Sequence, residues 1–139
     1  MPLEIKNVKK VIVPDTVFEA IKDSVIGKKY DLSLVFVGKT TAQKLNKTYR
    51  DKTYVPDILS FPLSIDSGEI FICLEAAKRK MKEFDREDPT LFAGDFDNFL
   101  IFLFIHGLLH LKGMSHGSTM EKVEKKYFKK WQKKRQLPA

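Results

Sequence analysis

Apolar residues at helical or strand spacing divide the chain into a short series of elements. Capping boxes, a hydroxyl residue followed three places later by Glu or Gln, predict three helix starts. Thr16–Glu19 opens a helix that stops near Gly27, Thr40–Gln43 one that runs to about Arg50, and Ser118–Glu121 one that runs towards Lys134. Between the first two, Tyr30–Val37 carries Leu32, Leu34, Val35, Phe36 and Val37 and reads as a strand buried on both faces. Leu3–Val8 and Val11–Val13 are β-prone ahead of it. Ile58–Leu63 and Glu69–Cys73 form a second β-prone pair around the turn-like Asp66-Ser67-Gly68. Ala76, Ala77 and Met81 among Lys and Arg predict a helix from beyond Cys73 to about Phe84, followed by a polar loop at Asp85–Asp88 and Pro89.

Asp95–Lys112 breaks the pattern. Its N-terminus is acidic, but past Asn98 it has almost no polar side. A helix that is apolar all round is buried all round, so this one is expected at the centre of the domain. Gly113 stands where a C-terminal cap belongs. The expected fold is therefore α+β with an α/β-like start: a small mixed sheet packed with helices around a buried central helix.

Composition adds bounds. The 139 residues suit one domain, here taken as 1–139, and the 43% hydrophobic and 31% charged content is that of a globular protein. A lone cysteine, Cys73, makes no internal disulfide and reads as a buried strand residue. The first ten residues hold no apolar leader segment, and Phe99–Leu111 is too short to span a bilayer. A cytoplasmic location without membrane attachment is the expectation. The net charge of +7 is concentrated: from Ser118 onward eight basic residues face two acids, Glu121 and Glu124. Such a patch attracts a polyanion such as RNA, and equally describes a solvated helix face.

The candidate chemistry lies on and just after the apolar helix. All three histidines fall in His106-Gly-Leu-Leu-His110-Leu-Lys-Gly-Met-Ser-His116. Histidines four apart on a helix project from one face, as two ligands of one zinc ion must. Gly113 permits a positive φ that lets the chain leave the helix and swing a third ring back. Three imidazoles leave a fourth tetrahedral position open, the mark of a catalytic zinc. The spacing is also that of the long metzincin protease motif. There the residue after the first His is the Glu that activates water, and here it is Gly107, which disfavours a protease. A glycine inside a helix points instead to close approach of another element or of substrate.

With these residues in view, the sequence resembles the YbeY family of bacterial endoribonucleases, whose hallmark is His-Gly-x-x-His-x-x-Gly-x-Asp-His. Asn46-Lys-Thr-Tyr-Arg50 followed by Pro56-Asp-Ile-Leu-Ser-Phe-Pro62 is similar to a second family block, and Gly68-Glu-Ile-Phe-Ile-Cys73 to its Gly-(Asp/Glu)-Ile strand. The likeness runs from about Asp31 to Gly117. Ser115 stands where the family has Asp, and Met114 where an aromatic or polar residue is usual.

The resemblance implies a zinc-dependent endoribonuclease with one Zn2+ per chain, held by His106, His110 and His116. It further implies single-stranded RNA as substrate, action in maturation of the small-subunit ribosomal RNA 3′ end and in ribosome quality control, and ribosomal partners. Arg50, in the matched block, becomes the candidate that pairs with phosphate oxygens; by itself it reads as a helix-end cation. Asp57 and Glu69 lie in matched blocks as proton-acceptor candidates, and each could equally cap a turn or pair with a lysine. Ser60 either contacts phosphate or satisfies strand backbone. Tyr49 and Phe61 either stack on bases or belong to the core. Two other functions stay open: a metal-stabilised RNA- or ribosome-binding factor without turnover, and a metal-dependent hydrolase of another substrate.

Overall fold

The structure, a computed structural model, describes residues 3–6 and 13–136, with side chains as far as residue 132. Its elements run β1 (Leu3–Lys6), α1 (Asp15–Val25), β2 (Asp31–Val37), α2 (Lys39–Arg50), β3 (Ile58–Ser64), β4 (Ser67–Cys73), α3 (Leu74–Glu87), α4 (Phe96–Leu111) and α5 (Ser118–Gln136). The strands form one mixed sheet in the order β1-β2-β4-β3, with β1, β2 and β4 parallel and β3 antiparallel at one edge. The fold is the expected α+β arrangement.

Alternation along β2 and β4 decides which side chains meet which helices. Leu32, Leu34 and Phe36, with Ile70 and Ile72, face one side and are buried. On that side Phe18 of α1 contacts both Phe36 and Phe104 of α4. On the other side Phe61 and Phe71 meet edge to face, and Tyr49 of α2 reaches Phe61. α4 is the core. Ten of its residues, from Asn98 to Leu109, are buried, because it is enclosed by α1, α3, α5 and the β3–β4 end of the sheet. Burying each large apolar side chain contributes about 1.5–3 kcal/mol, so this helix is the largest single source of cohesion. No helix among the described residues is long and apolar enough to cross a membrane.

Several local expectations are corrected. β2 is not buried on both faces; Ser33, Val35 and Val37 are half-buried, Val37 packing on a small cluster of Ala42, Cys73 and Ala76. Neither Thr16 nor Thr40 caps its helix. Pro14 and Gly38 occupy the N-cap positions, one residue before Asp15 and Lys39, so both threonines lie inside the first turn. Ser118 likewise begins α5 as a helical residue, with Gly117 oxygen accepting from Glu121 N–H. The β3–β4 turn is Ile65-Asp66, and Ser67 and Gly68 already belong to β4. α3 continues through Asp85 to Glu87, because Asp85 holds the following loop by accepting from the N–H groups of Phe92, Ala93 and Gly94. Val11 and Ile12, and Leu3–Val8 beyond Lys6, lie outside the described residues, while Val13 is buried.

Candidate metal centre

Asp95 caps α4 by accepting from Asn98 N–H at 3.0 Å, and the helix then runs unbroken to Leu111. From Asn98 to His110 it is enclosed except along one row. Phe102, His106 and His110, four residues apart, are its half-buried positions there. Gly107 lies next to the row, against β3. A Cβ placed on it would come within 2.8 Å of Ile58 Cδ1, 3.0 Å of Ser60 Oγ and 3.1 Å of Ile70 Cδ1. The glycine therefore serves close approach of the sheet, and Ser60 Oγ donates to Gly107 oxygen at 3.2 Å.

After Leu111 the chain reverses through Gly113, whose φ of +98° is a conformation that glycine adopts at little cost. Gly113 N–H donates to His110 oxygen and Met114 N–H to Leu109 oxygen, closing the helix end. This turn returns His116 to the row. The three ring centroids stand 4.6, 5.1 and 4.6 Å apart, and one nitrogen from each ring lies within 4.8 Å of the other two.

The orientation of two rings is fixed from behind. His106 Nδ1 meets a carboxylate oxygen of Glu124 in α5, and His110 Nδ1 meets Met114 oxygen at 3.1 Å. A carbonyl only accepts, so His110 carries its proton on Nδ1. A carboxylate asks the same of His106. In the neutral rings both Nε2 atoms are then bare acceptors, and they face each other 3.1 Å apart. Two lone pairs at that separation repel unless a cation lies between them. Ligand nitrogens on one tetrahedral zinc, at about 2.0–2.1 Å from it, stand roughly 3.3 Å apart. Burial, and then the neighbouring His106 and His116, hold the His110 pKa below the usual imidazole range, which keeps its ring neutral and able to ligate. The donor set and its orientation fit a divalent metal.

A cleft of about 410 Å³ opens beside this cluster, lined by Arg50, Tyr54, Asp57, Ser60, His110 and His116 among others. Arg50 is exposed at the end of α2, its Nη1 donating to Asn46 Oδ1 and Tyr54 Oη, both at 3.3 Å. Asn46 is itself fully buried and donates to Tyr54 oxygen, which ties the helix end to the segment leading into β3. Asp57 is half-buried just before β3 and accepts from Ile58 N–H at 2.9 Å. Burial raises its pKa above the usual carboxylate value, against the lowering effect of its backbone donors and then of Lys80 and His106. Glu69 is not brought to this group. It pairs in register with Phe61 on the sheet face turned away from α4, whereas its neighbours Gly68 and Ile70 face the helix. Ser60 satisfies backbone, Cys73 is buried apart from the histidines, Phe61 is packed, and Tyr49 is largely exposed.

One residue in contact with the histidine cluster has no place among the candidates named from the sequence. Glu124 appears there only as an acid among lysines, yet it is 7% exposed and holds His106. A signal was present: Met120, Val123, Tyr127, Phe128 and Trp131 trace the apolar stripe of α5, and Glu124 falls on that stripe. The lysines Lys122, Lys125, Lys126, Lys129 and Lys130 are exposed, as a solvated face requires.

Comparison with known proteins bears on this geometry. The family model described as Endoribonuclease YbeY matches residues 3–135. The Endoribonuclease YbeY of Mesoplasma florum is 37% identical over 111 residues, covering 72% of this chain and 60% of that protein. That of Staphylococcus aureus is 32% identical over 126 residues, covering 81% of this chain and 76% of that protein. The chain spans less than two thirds of the length of the Mesoplasma florum and Ureaplasma parvum relatives, at 60% and 57%. The solution structure of a Thermotoga maritima protein is 27% identical and superimposes with a TM-score of 0.63, covering 95% of this chain and 90% of that one.

Proposed function

Because the chain belongs to the YbeY endoribonuclease family, we propose that it is a zinc-dependent endoribonuclease that cleaves single-stranded RNA. Its place is in the cytoplasm, in maturation of the small-subunit ribosomal RNA 3′ end and in ribosome quality control, with ribosomal partners. One Zn2+ per chain is held by His106, His110 and His116. The observation that carries the reading is that two of the three clustered histidines, His110 and His116, share a cleft wall with a guanidinium and a raised-pKa carboxylate.

Held there, zinc supplies Lewis-acid polarisation of a phosphoryl group and nucleophilic water at neutral pH. The chain's own groups do the rest. Arg50 offers a planar fork that matches two phosphate oxygens and keeps its charge at any working pH. Its anchoring by Asn46 and Tyr54 fixes where that charge stands, so it meets charge developing in the transition state without rearranging. Asp57, kept protonatable by burial, takes up the proton of the attacking water, directly or through a second water. Glu69, on the opposite face of the sheet, has no part in the proposed reaction. Exposed lysines of α5 track the RNA backbone and make affinity depend on salt rather than on sequence.

The test is cleavage of a single-stranded RNA by metal-free protein, by zinc-reconstituted protein, and by reconstituted His116→Ala of matched fold. Cleavage that needs zinc and is lost in the variant supports the proposal. Stoichiometric zinc with no cleavage moves the reading to a metal-stabilised RNA- or ribosome-binding factor. Faster hydrolysis of a non-RNA phosphodiester moves it to another substrate.

A further inference from the structure

The histidines border a second cavity, of about 480 Å³, on their α5 side. His106 and His116 form one end of it. Phe84, Leu91, Phe92, Phe102 and Phe128 supply an apolar lining, and Lys80, Lys125 and Glu121 stand at its rim. His116 lines this cavity and the Arg50 cleft alike, so the two meet at the cluster.

We propose that this cavity is a nucleobase subsite, which receives the base of a nucleotide adjoining the phosphate bound in the Arg50 cleft. The proposal rests on the ribonuclease reading above and names what the site recognises besides phosphate. The exposed row of α4 carries the argument. Phe102 lies four residues before His106, roughly 6 Å along the axis, on the one strip of that helix left open. An aromatic ring is thus presented to the cavity beside the metal ligands, at the separation that divides a phosphate from the base it carries. Phe102 is itself packed against Phe92 and Phe128 in T-shaped contacts, at 5.3 and 5.5 Å between centroids, and against Phe84 and Phe99 at 6.2 Å, which together fix its ring plane.

The chemistry of the two cavities is complementary in the sense a nucleotide requires. The Arg50 cleft offers a guanidinium, a carboxylate, hydroxyls and two imidazoles, whereas this one is lined largely by phenylalanines. The base is the part of RNA with a flat face that stacks on such rings whatever its sequence. Lys80 and Lys125 at the rim stand where the backbone leaves the pocket, and they outnumber Glu121 there; Glu124 is engaged by His106. The volume lies within the range of small-ligand pockets, so a purine is admitted. A base paired and stacked in a duplex cannot enter without being extruded, which gives this chain a built-in preference for single strands.

The experiment uses zinc-loaded protein and three probes: adenosine 5′-monophosphate, ribose 5-phosphate and decyl phosphate. Binding is followed by NMR on the Phe102 ring and the Leu91 methyls. The mononucleotide is expected to bind roughly tenfold more tightly than ribose 5-phosphate and to shift both reporters. Leu91→Trp, which enlarges a side chain at the mouth, and Phe102→Ala, which removes the ring, should each bring that ratio close to one while zinc stoichiometry is kept. Because Leu91 is exposed, the first variant keeps the proposal testable if the second folds poorly. In an RNA with one abasic residue, cleavage should slow at the junctions flanking that residue and at no others. Equal affinity for the two phosphates, a preference that survives both variants, or tighter binding of decyl phosphate overturns the subsite. Base-dependent binding without RNA cleavage leaves the subsite and removes the nuclease; cleavage indifferent to the abasic residue does the reverse.

Discussion

His106 and His110 come from the second half of the most buried helix, His110 from its last turn, each with its Nδ1 held by an oxygen, whereas His116, Arg50 and Asp57 come from a turn and from the end of α2 and the approach to β3. On the helical wall, Glu124 is buried and its charge is met by a ring nitrogen. On the other wall, His116 and Arg50 are exposed, and among the described residues no hydrogen bond holds the His116 ring. The difference separates two tasks. Holding an ion favours ligands that are oriented before it arrives, because the ordering has already been done by folding. Meeting a polymer favours groups at the ends of elements, where a strand can pass.

If the helical wall is the ion's anchor, His106→Ala should have the largest effect. Zinc affinity and RNA cleavage should fall by at least about 10³-fold, and Glu124 would be left as a buried carboxylate without its partner, costing about 1–3 kcal/mol. Isothermal titration with zinc and urea unfolding of the metal-free protein check both; tight stoichiometric zinc in this variant would remove His106 from the ligand set. Arg50→Ala strikes the other wall and should separate turnover from holding. Cleavage should drop by about 10²–10³-fold with zinc affinity, RNA affinity and melting temperature little changed. Equal losses in cleavage and RNA affinity would make Arg50 a binding residue only.

Glu124→Gln tests the anchoring more gently. It keeps the shape and removes the charge behind His106, so zinc affinity should fall by about 10–100-fold while the fold remains. Gly113→Ala acts at the junction of the two walls. An alanine at φ +98° should cost about 1 kcal/mol in thermal stability and loosen His116 relative to the helix. The smallest effect concerns Asp57 and pH. Burial raises its folded pKa above its unfolded value of 3.8, so the folded state binds more protons between those two values, and stability falls as pH rises through that window. Asp57→Asn should therefore melt at the parental temperature at pH 3.5 and above it at pH 7 in metal-free protein, while cleaving RNA more slowly. A variant less stable at neutral pH would mean that the carboxylate is a structural partner.

The helical wall was the more legible of the two in the sequence. An all-apolar helix interrupted by histidines four apart has few other readings, and Gly107 and Gly113 are required by close packing and by a positive φ. The limits were also physical. Thr16 and Thr40 matched a capping pattern, but a proline and a glycine two residues earlier already set the helix entries. Glu69 shared a matched block with strand residues, and only the pleat, which turns it away from Ile70, separates it from the site. Glu124 was hidden by its neighbours: among so many lysines an acid looks like a surface counter-charge, and its place on the stripe of Met120, Phe128 and Trp131 outweighs that appearance. The pairing of α2's end with the segment before β3 depends on Asn46, a buried amide with no periodic signature.

The burial of α4 bears on how long an ion stays. Backbone amides in the centre of the most enclosed helix exchange with solvent only on global opening, so those around His106 should be among the slowest in the molecule. Of the three histidines that could hold an ion, His106 therefore cannot let go by local fraying, whereas His110 stands in the last turn of the helix. Departure of the ion must be timed by the exposed segment from Lys112 to Gly117, which opens far more often than the helix. The residence time of the ion is in that case a property of six exposed or half-exposed residues, and a chelator should withdraw it at the rate at which they move.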